Sequence, residues 1–166
     1  MTGKHCAAGK AFFDKETACE QCTNGRYQEQ NNFPTAVCKD CGKGKKAANA
    51  ESECTDCAGG KFQELDAAIE YTCKHCEAGT SFKSKTEACD ICLAGEYQNQ
   101  GDQASITCKD CPDGRYQTDA AATVGEHDAL VDCLFCAAGT KFATKTTACD
   151  ACDEGKYQDQ NTVASV

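Results

Sequence analysis

The sequence predicts a small disulfide-rich repeat fold: short β-hairpins and irregular loops, one disulfide per loop, little helix, stacked into an elongated solenoid-like rod. Three observations predict it. Eight Cys-x-x-Cys pairs recur along 166 residues, the gaps between them repeat, and large apolar residues are scarce. Leu, Ile, Val and Phe number 19 of 166, and there is no Trp. With a net charge of −9, so thin a core leaves a chain disordered unless something else constrains it. Seventeen cysteines supply that constraint.

The pairs are Cys19/Cys22, Cys38/Cys41, Cys54/Cys57, Cys73/Cys76, Cys89/Cys92, Cys108/Cys111, Cys133/Cys136 and Cys149/Cys152, preceded by Cys6. The second Cys of one pair opens a loop and the first Cys of the next pair closes it. Read so, two loop families alternate. Short loops have 12 residues between their cysteines: Cys6–Cys19, Cys41–Cys54, Cys76–Cys89 and Cys136–Cys149. Three of these place Phe12, Phe82 or Phe142 three residues after a Gly, whereas the Cys41 loop has Ala47 there. Long loops have 15: Cys22–Cys38, Cys57–Cys73 and Cys92–Cys108. Cys111–Cys133 is stretched to 21, and a last loop opens at Cys152. The expected disulfides are these eight loop closures. Cys152 is left over, and is expected to pair beyond this segment or with another chain.

The compound period is 35 residues. It divides the chain into repeats at 1–40, 41–75 and 76–110, an inserted long loop at 111–135, and a truncated repeat at 136–166. The extra residues around Ala120–Val131 are expected to protrude or move. Residues 1–6 have no apolar stretch of the kind a signal peptide needs, so the chain reads as a mature segment or a fragment of something longer.

All five long loops read C-x-x-G-x-[YF]-Q, with Gly25/Tyr27, Gly60/Phe62, Gly95/Tyr97, Gly114/Tyr116 and Gly155/Tyr157. The Gly is expected at a sharp turn needing φ > 0. The ring is expected to pack on the disulfides. The Gln that follows is expected to bond the backbone of the next unit. Gly-x-Tyr-Gln reads as a short strand, with Thr/Ile-x-Cys at the loop's end as its partner.

These units resemble the ephrin-receptor-like cysteine-rich repeat, and are similar to the single-disulfide first module of tumour-necrosis-factor-receptor cysteine-rich domains. The text that carries the resemblance is Cys92-Leu93-Ala94-Gly95-Glu96-Tyr97, closing at Cys108-Lys109-Asp110-Cys111. It extends over nearly all of residues 6–166. Arrays of such repeats occur in surface and appendage proteins of protists. The resemblance implies an extracellular repeat array and no single function, because the module serves receptors, adhesins and fibres alike. The chain lacks the additional cysteines of a full receptor cysteine-rich domain.

Other readings of the cysteines are weaker. Cys19, Cys22, Cys38 and Cys41 have the spacing of a four-cysteine zinc site. A continuous ladder, however, makes each pair serve two overlapping sites, and disjoint sites do not require alternating loop lengths. A redox enzyme needs one privileged pair on a βαβ scaffold, and here eight pairs look alike. The acidic balance, 26 Asp+Glu against 17 Lys+Arg, argues against nucleic acid. No run is long enough to span a membrane.

His5, His75 and His127 are isolated and read as exposed linker residues. Asp159-Gln160-Asn161 and Glu126-His127-Asp128 lack the spacing of a calcium loop. There is no N-glycosylation sequon, and no catalytic residue, metal site or cofactor is expected. The expected function is that of a non-enzymatic extracellular structural protein, a rod or filament segment. It would associate with itself or continue as the same repeat chain, and would meet other extracellular proteins or glycans. The rival is a receptor or adhesin ectodomain with loop 111–135 as its contact. A multi-zinc protein is the distant third.

Overall fold

A computed structural model describes residues 3–23, 25–66 and 72–163. Apart from the Cys41 loop, the loops begin with a turn in which the fourth residue's N–H bonds the first residue's carbonyl, as Lys10 N–H does with Ala7 at 3.2 Å. The third residue of that turn is Gly, and its φ of +79° at Gly9 lies where a Cβ would be strained. In the seven loops opened by Cys6, Cys22, Cys41, Cys76, Cys92, Cys111 and Cys136 a two-residue strand follows the turn. With almost no helix, the fold is a run of small antiparallel hairpins with about one disulfide per loop. Among the described residues the helical segments are two single 3₁₀ turns, Val124–Glu126 and Leu130–Asp132.

The chain forms two compact units, Met1–Lys74 with Ser84–Ala88, and His75–Lys83 with Cys89–Val166. In the first, Lys10–Ala11 pairs with Glu20–Gln21, Arg26–Tyr27 with Lys39–Asp40, and Lys45–Lys46 with Thr55–Asp56. A single bridge joins Phe62 to Lys74. In the second, Thr80–Ser81 pairs with Asp90–Ile91, Glu96–Tyr97 with Lys109–Asp110, Arg115–Tyr116 with Leu134–Phe135, and Thr140–Lys141 with Asp150–Ala151.

These pairings correct the expected register. The partner strand is not the Thr/Ile-x-Cys that closes the loop. It is the two residues inside the next Cys-x-x-Cys. Each such strand therefore has a cysteine at either end, one closing its own loop and one opening the next. Hairpins this short are marginal alone, and the sulfur clamps compensate for their brevity.

The core is made mainly of sulfur and amide, with Phe62 and His127 the rings that join it. The loop-opening cysteines Cys6, Cys22, Cys41, Cys57, Cys76, Cys92, Cys111 and Cys136 are all buried. So are Gln28, Gln63, Gln98 and Gln117, at 1–3% exposure. Buried amides need partners, and Gln28, Gln63 and Gln98 have them on both atoms, whereas Gln117 donates through Nε2 but its Oε1 has none among the described residues. Gln98 Nε2 donates to the Thr80 carbonyl at 3.0 Å and its Oε1 accepts the Gln100 N–H. Gln28 repeats this with Lys10 and Gln30.

The expected direction of the side-chain bond was therefore wrong for these residues: Gln28, Gln63 and Gln98 reach back to the preceding loop. It is the backbone that reaches forward. Gln28 N–H bonds the Ala50 carbonyl and Gln63 N–H that of Lys85, each at 2.9 Å. Gln98 bonds His127 at 2.8 Å and Gln117 bonds Lys145 at 2.9 Å. Each of these four residues thus stitches three consecutive loops, except that the Gln117 side chain donates within its own loop to Glu126 O.

Candidate functional site

The structure joins Cys6–Cys19, Cys22–Cys38, Cys41–Cys54 and Cys57–Cys73 in the first unit. In the second it joins Cys76–Cys89, Cys92–Cys108, Cys111–Cys133 and Cys136–Cys149. Their Cα–Cα distances run from 5.6 to 5.8 Å, within the range a disulfide spans without backbone movement. Cys152 is a free, half-buried thiol. Its N–H bonds the Gly139 carbonyl at 3.0 Å.

Gly25, Gly60, Gly95, Gly114 and Gly155 have φ between +76° and +79°. The aromatic residues that follow differ in burial. Phe62 is buried, Tyr27, Tyr97 and Tyr116 are half-buried, and Tyr157 is 86% exposed. Lys39 lies 5.6 Å over the Tyr27 ring and Lys74 the same distance over Phe62. Each lysine also pairs with a carboxylate just past the ring, Lys39 with Glu29 and Lys74 with Glu64 at 2.8 Å. These lysine bonds hold the carboxyls of Glu29 and Glu64 below the ordinary glutamate value. The two long loops share one device: a ring capped by a cation that is itself anchored.

Loop 111–133 departs most from the sequence reading. It is tied down by one inward-turned side chain, while most of residues 120–131 stay at the surface. His127, expected to be an exposed linker residue, is 0% exposed. Its Nδ1 lies 2.9 Å from the Glu96 carbonyl, and a carbonyl only accepts, so Nδ1 carries a proton. Its Nε2 lies 3.1 Å from Asp119 Oδ2. The same Oδ2 accepts the N–H groups of Ala122 at 2.9 Å and Thr123 at 3.0 Å. The Thr123 bond, then the Ala122 and His127 bonds, hold the Asp119 carboxyl below its ordinary value. The inserted segment also covers Gly79, where a Cβ would stand 2.4 Å from the Val124 carbonyl oxygen. Asp119 was missed by sequence reasoning. One more acid in an acidic chain gives no signal, and its partner is eight residues away in an irregular segment.

Of the acidic triplets considered for calcium, Asn161 has its side-chain oxygen occupied by the Ala138 N–H at 2.7 Å. The Glu126 and His127 carbonyls accept from Gln117 and Gln98.

The same loop carries an apolar groove. The two residues inside Cys-x-x-Cys include an aspartate in five of the eight pairs and are Glu20-Gln21 and Lys74-His75 in two more, but at Cys133/Cys136 both are apolar, Leu134 and Phe135. The change alters the cation across the hairpin. Arg26 opposite Asp40 makes a 2.8 Å salt bridge. Arg115 opposite Phe135 stacks 4.0 Å above the ring, and its Nη1 lies 3.4 Å from the Leu130 carbonyl. Arg115, Tyr116, Leu130, Val131, Leu134 and Phe135 line a cavity of about 550 Å³. Leu130, Val131 and Leu134 are 39%, 74% and 50% exposed.

Residues 79–128 match the family described as tyrosine-protein kinase ephrin type A/B receptor-like. The matched stretch takes in the buried His127 and stops before the groove residues Leu130–Phe135. No curated protein matches the chain. The match and the run of disulfide-bonded pairs define a cysteine-rich repeat array. The class is that of an extracellular module, receptor-like or structural. Among the described residues, no helix is long and apolar enough to cross a membrane.

Proposed function

We propose that the chain is a non-enzymatic structural protein of the extracellular space or cell surface, a disulfide-stapled segment of a rod or filament. The observation that carries this reading is the repeated ladder. Gly9 N–H bonds the Gln28 carbonyl, Gly44 that of Gln63, Gly79 that of Gln98, Gly95 that of Gln117 and Gly139 that of Gln158, all at 2.7–2.9 Å. A ladder that repeats the same bonds from loop to loop extends by adding copies, and its stability is a sum of neighbour terms. The acidic surface keeps such an array soluble. Negative-stain microscopy of the oxidised protein tests the reading. Long regular fibres support it, and dispersed particles of single-chain size count against it.

A receptor or adhesin ectodomain is the second reading, and the exposed groove of loop 111–133 favours it. Apolar surface of that kind on a soluble chain marks a contact site.

A further inference from the structure

Two of the loops that depart from the repeat text do so in complementary ways. Loop 111–133 leaves Arg115 without a carboxylate in salt-bridge reach among the described residues and opens the Leu130–Phe135 groove beside it. Loop 6–19 places Phe13 and Asp14 where the related short loops have Lys83-Ser84 and Ala143-Thr144. Phe13 is 76% exposed. Asp14 accepts the Glu16 and Thr17 N–H groups and the Thr17 hydroxyl, all at Oδ1. These bonds lower its carboxyl below the ordinary aspartate value and keep it charged. One loop therefore offers an exposed ring followed by a fixed carboxylate. The other offers an apolar groove with a guanidinium at its rim that meets no carboxylate among the described residues.

We infer that the groove of loop 111–133 receives Phe13 of a second copy of this chain, with Asp14 of that copy paired to Arg115. The inference rests on the structural reading above and names its contact. The ring fills the space among Leu130, Val131 and Leu134, and the carboxylate meets the guanidinium nitrogens that do not bond Leu130, opposite Phe135 where Arg26 has Asp40. The two patches differ, so the contact is heterologous. Each copy can give a Phe13 and take another, and association is open-ended.

The experiment uses the full oxidised chain carrying Cys152→Ser, which removes disulfide cross-linking, in sedimentation equilibrium over a concentration series. Phe13→Ser and Val131→Asp are made separately on that background. Both positions are exposed, and an unchanged disulfide map verifies each fold. The parent is expected to form species that grow with concentration, and each variant to remain a monomer at the same concentrations. The decisive measurement is the equimolar mixture. Phe13→Ser keeps an intact groove and Val131→Asp an intact ring, so the mixture should give dimers and nothing larger. A monomeric parent, association that survives in either variant, or a mixture that stays monomeric would overturn the inference. Fibres in the microscope together with any of those results would leave the structural reading standing and place assembly on another surface.

Discussion

His127 Nε2 lies 3.1 Å from Asp119 Oδ2, and this pair closes a loop six residues longer than its relatives onto the body of its own unit. The imidazole is fully buried and bonds the Glu96 carbonyl through its other nitrogen. His127→Ala should therefore cost about 2–4 kcal/mol, combining lost packing with orphaned polar groups. Asp119→Asn keeps the shape and should cost less. Thermal denaturation gives the ranking, and amide exchange should show the loss of protection concentrated in residues 119–132.

Acid should open the same loop. The folded value of Asp119 is depressed by the Thr123 N–H, with Ala122 and His127 adding to it. A depressed carboxylate contributes stability that is fully present above the unfolded value near 3.8 and is lost as pH falls through the folded value. Glu29 and Glu64, held down by Lys39 and Lys74, act in the same direction from an unfolded value near 4.5. The melting temperature should be flat from pH 7 to about pH 5 and should fall below pH 4. Asp119→Asn should flatten part of that decline.

Gly79 and Gly139 separate backbone strain from crowding. Their φ values are +83° and +82°. A Cβ at Gly139 meets nothing within 4 Å, whereas one at Gly79 stands 2.4 Å from the Val124 oxygen. Gly139→Ala should cost about 1–2 kcal/mol from the left-handed conformation alone. Gly79→Ala should cost about 1–3 kcal/mol more, because the inserted segment must move. Urea denaturation of the two variants measures the difference.

Gln98 and Gln158 offer a matched contrast within one unit. Gln98 is 1% exposed and its amide donates to Thr80 and Glu77. Gln158 has an Nε2 with no hydrogen-bond partner. Gln98→Ala should lower stability by about 2–3 kcal/mol, since it leaves the Gln100 N–H and the Thr80 carbonyl unpaired. Gln158→Ala should cost under about 1 kcal/mol. Equal losses in the two variants would show that the side-chain bonds to the preceding loop contribute little.

Reduction and chelation should act oppositely. Each loop closure contributes about 3 kcal/mol through the unfolded state, so dithiothreitol should unfold the chain. Ethylenediaminetetraacetate should leave its melting temperature unchanged. In denaturant without reductant, a thiol reagent should modify one cysteine per chain, and peptide mapping should place it at Cys152.

What the order of residues decides here is local. The spacing of cysteines makes loops of 12 and 15 residues, a scarcity of apolar side chains leaves sulfur to form the centre, and a Gly three residues past Cys22 or Cys92 provides the turn. These are short-range matters of chain length and φ, and they read directly from the text. The Gln after each ring was also visible as a repeated residue, but its burial and the loop it reaches were not. Both depend on how neighbouring loops are laid side by side. Strand pairing was misjudged for the same reason, because Lys39–Asp40 and Thr/Ile-x-Cys are both too short to carry a period that marks one as the partner. The fate of loop 111–133 was decided by tertiary structure alone. An irregular segment has no period to mark which side chain turns inward, and it took the Glu96 carbonyl, the open face of Gly79 and the Asp119 carboxylate, brought together in space, to draw His127 inside.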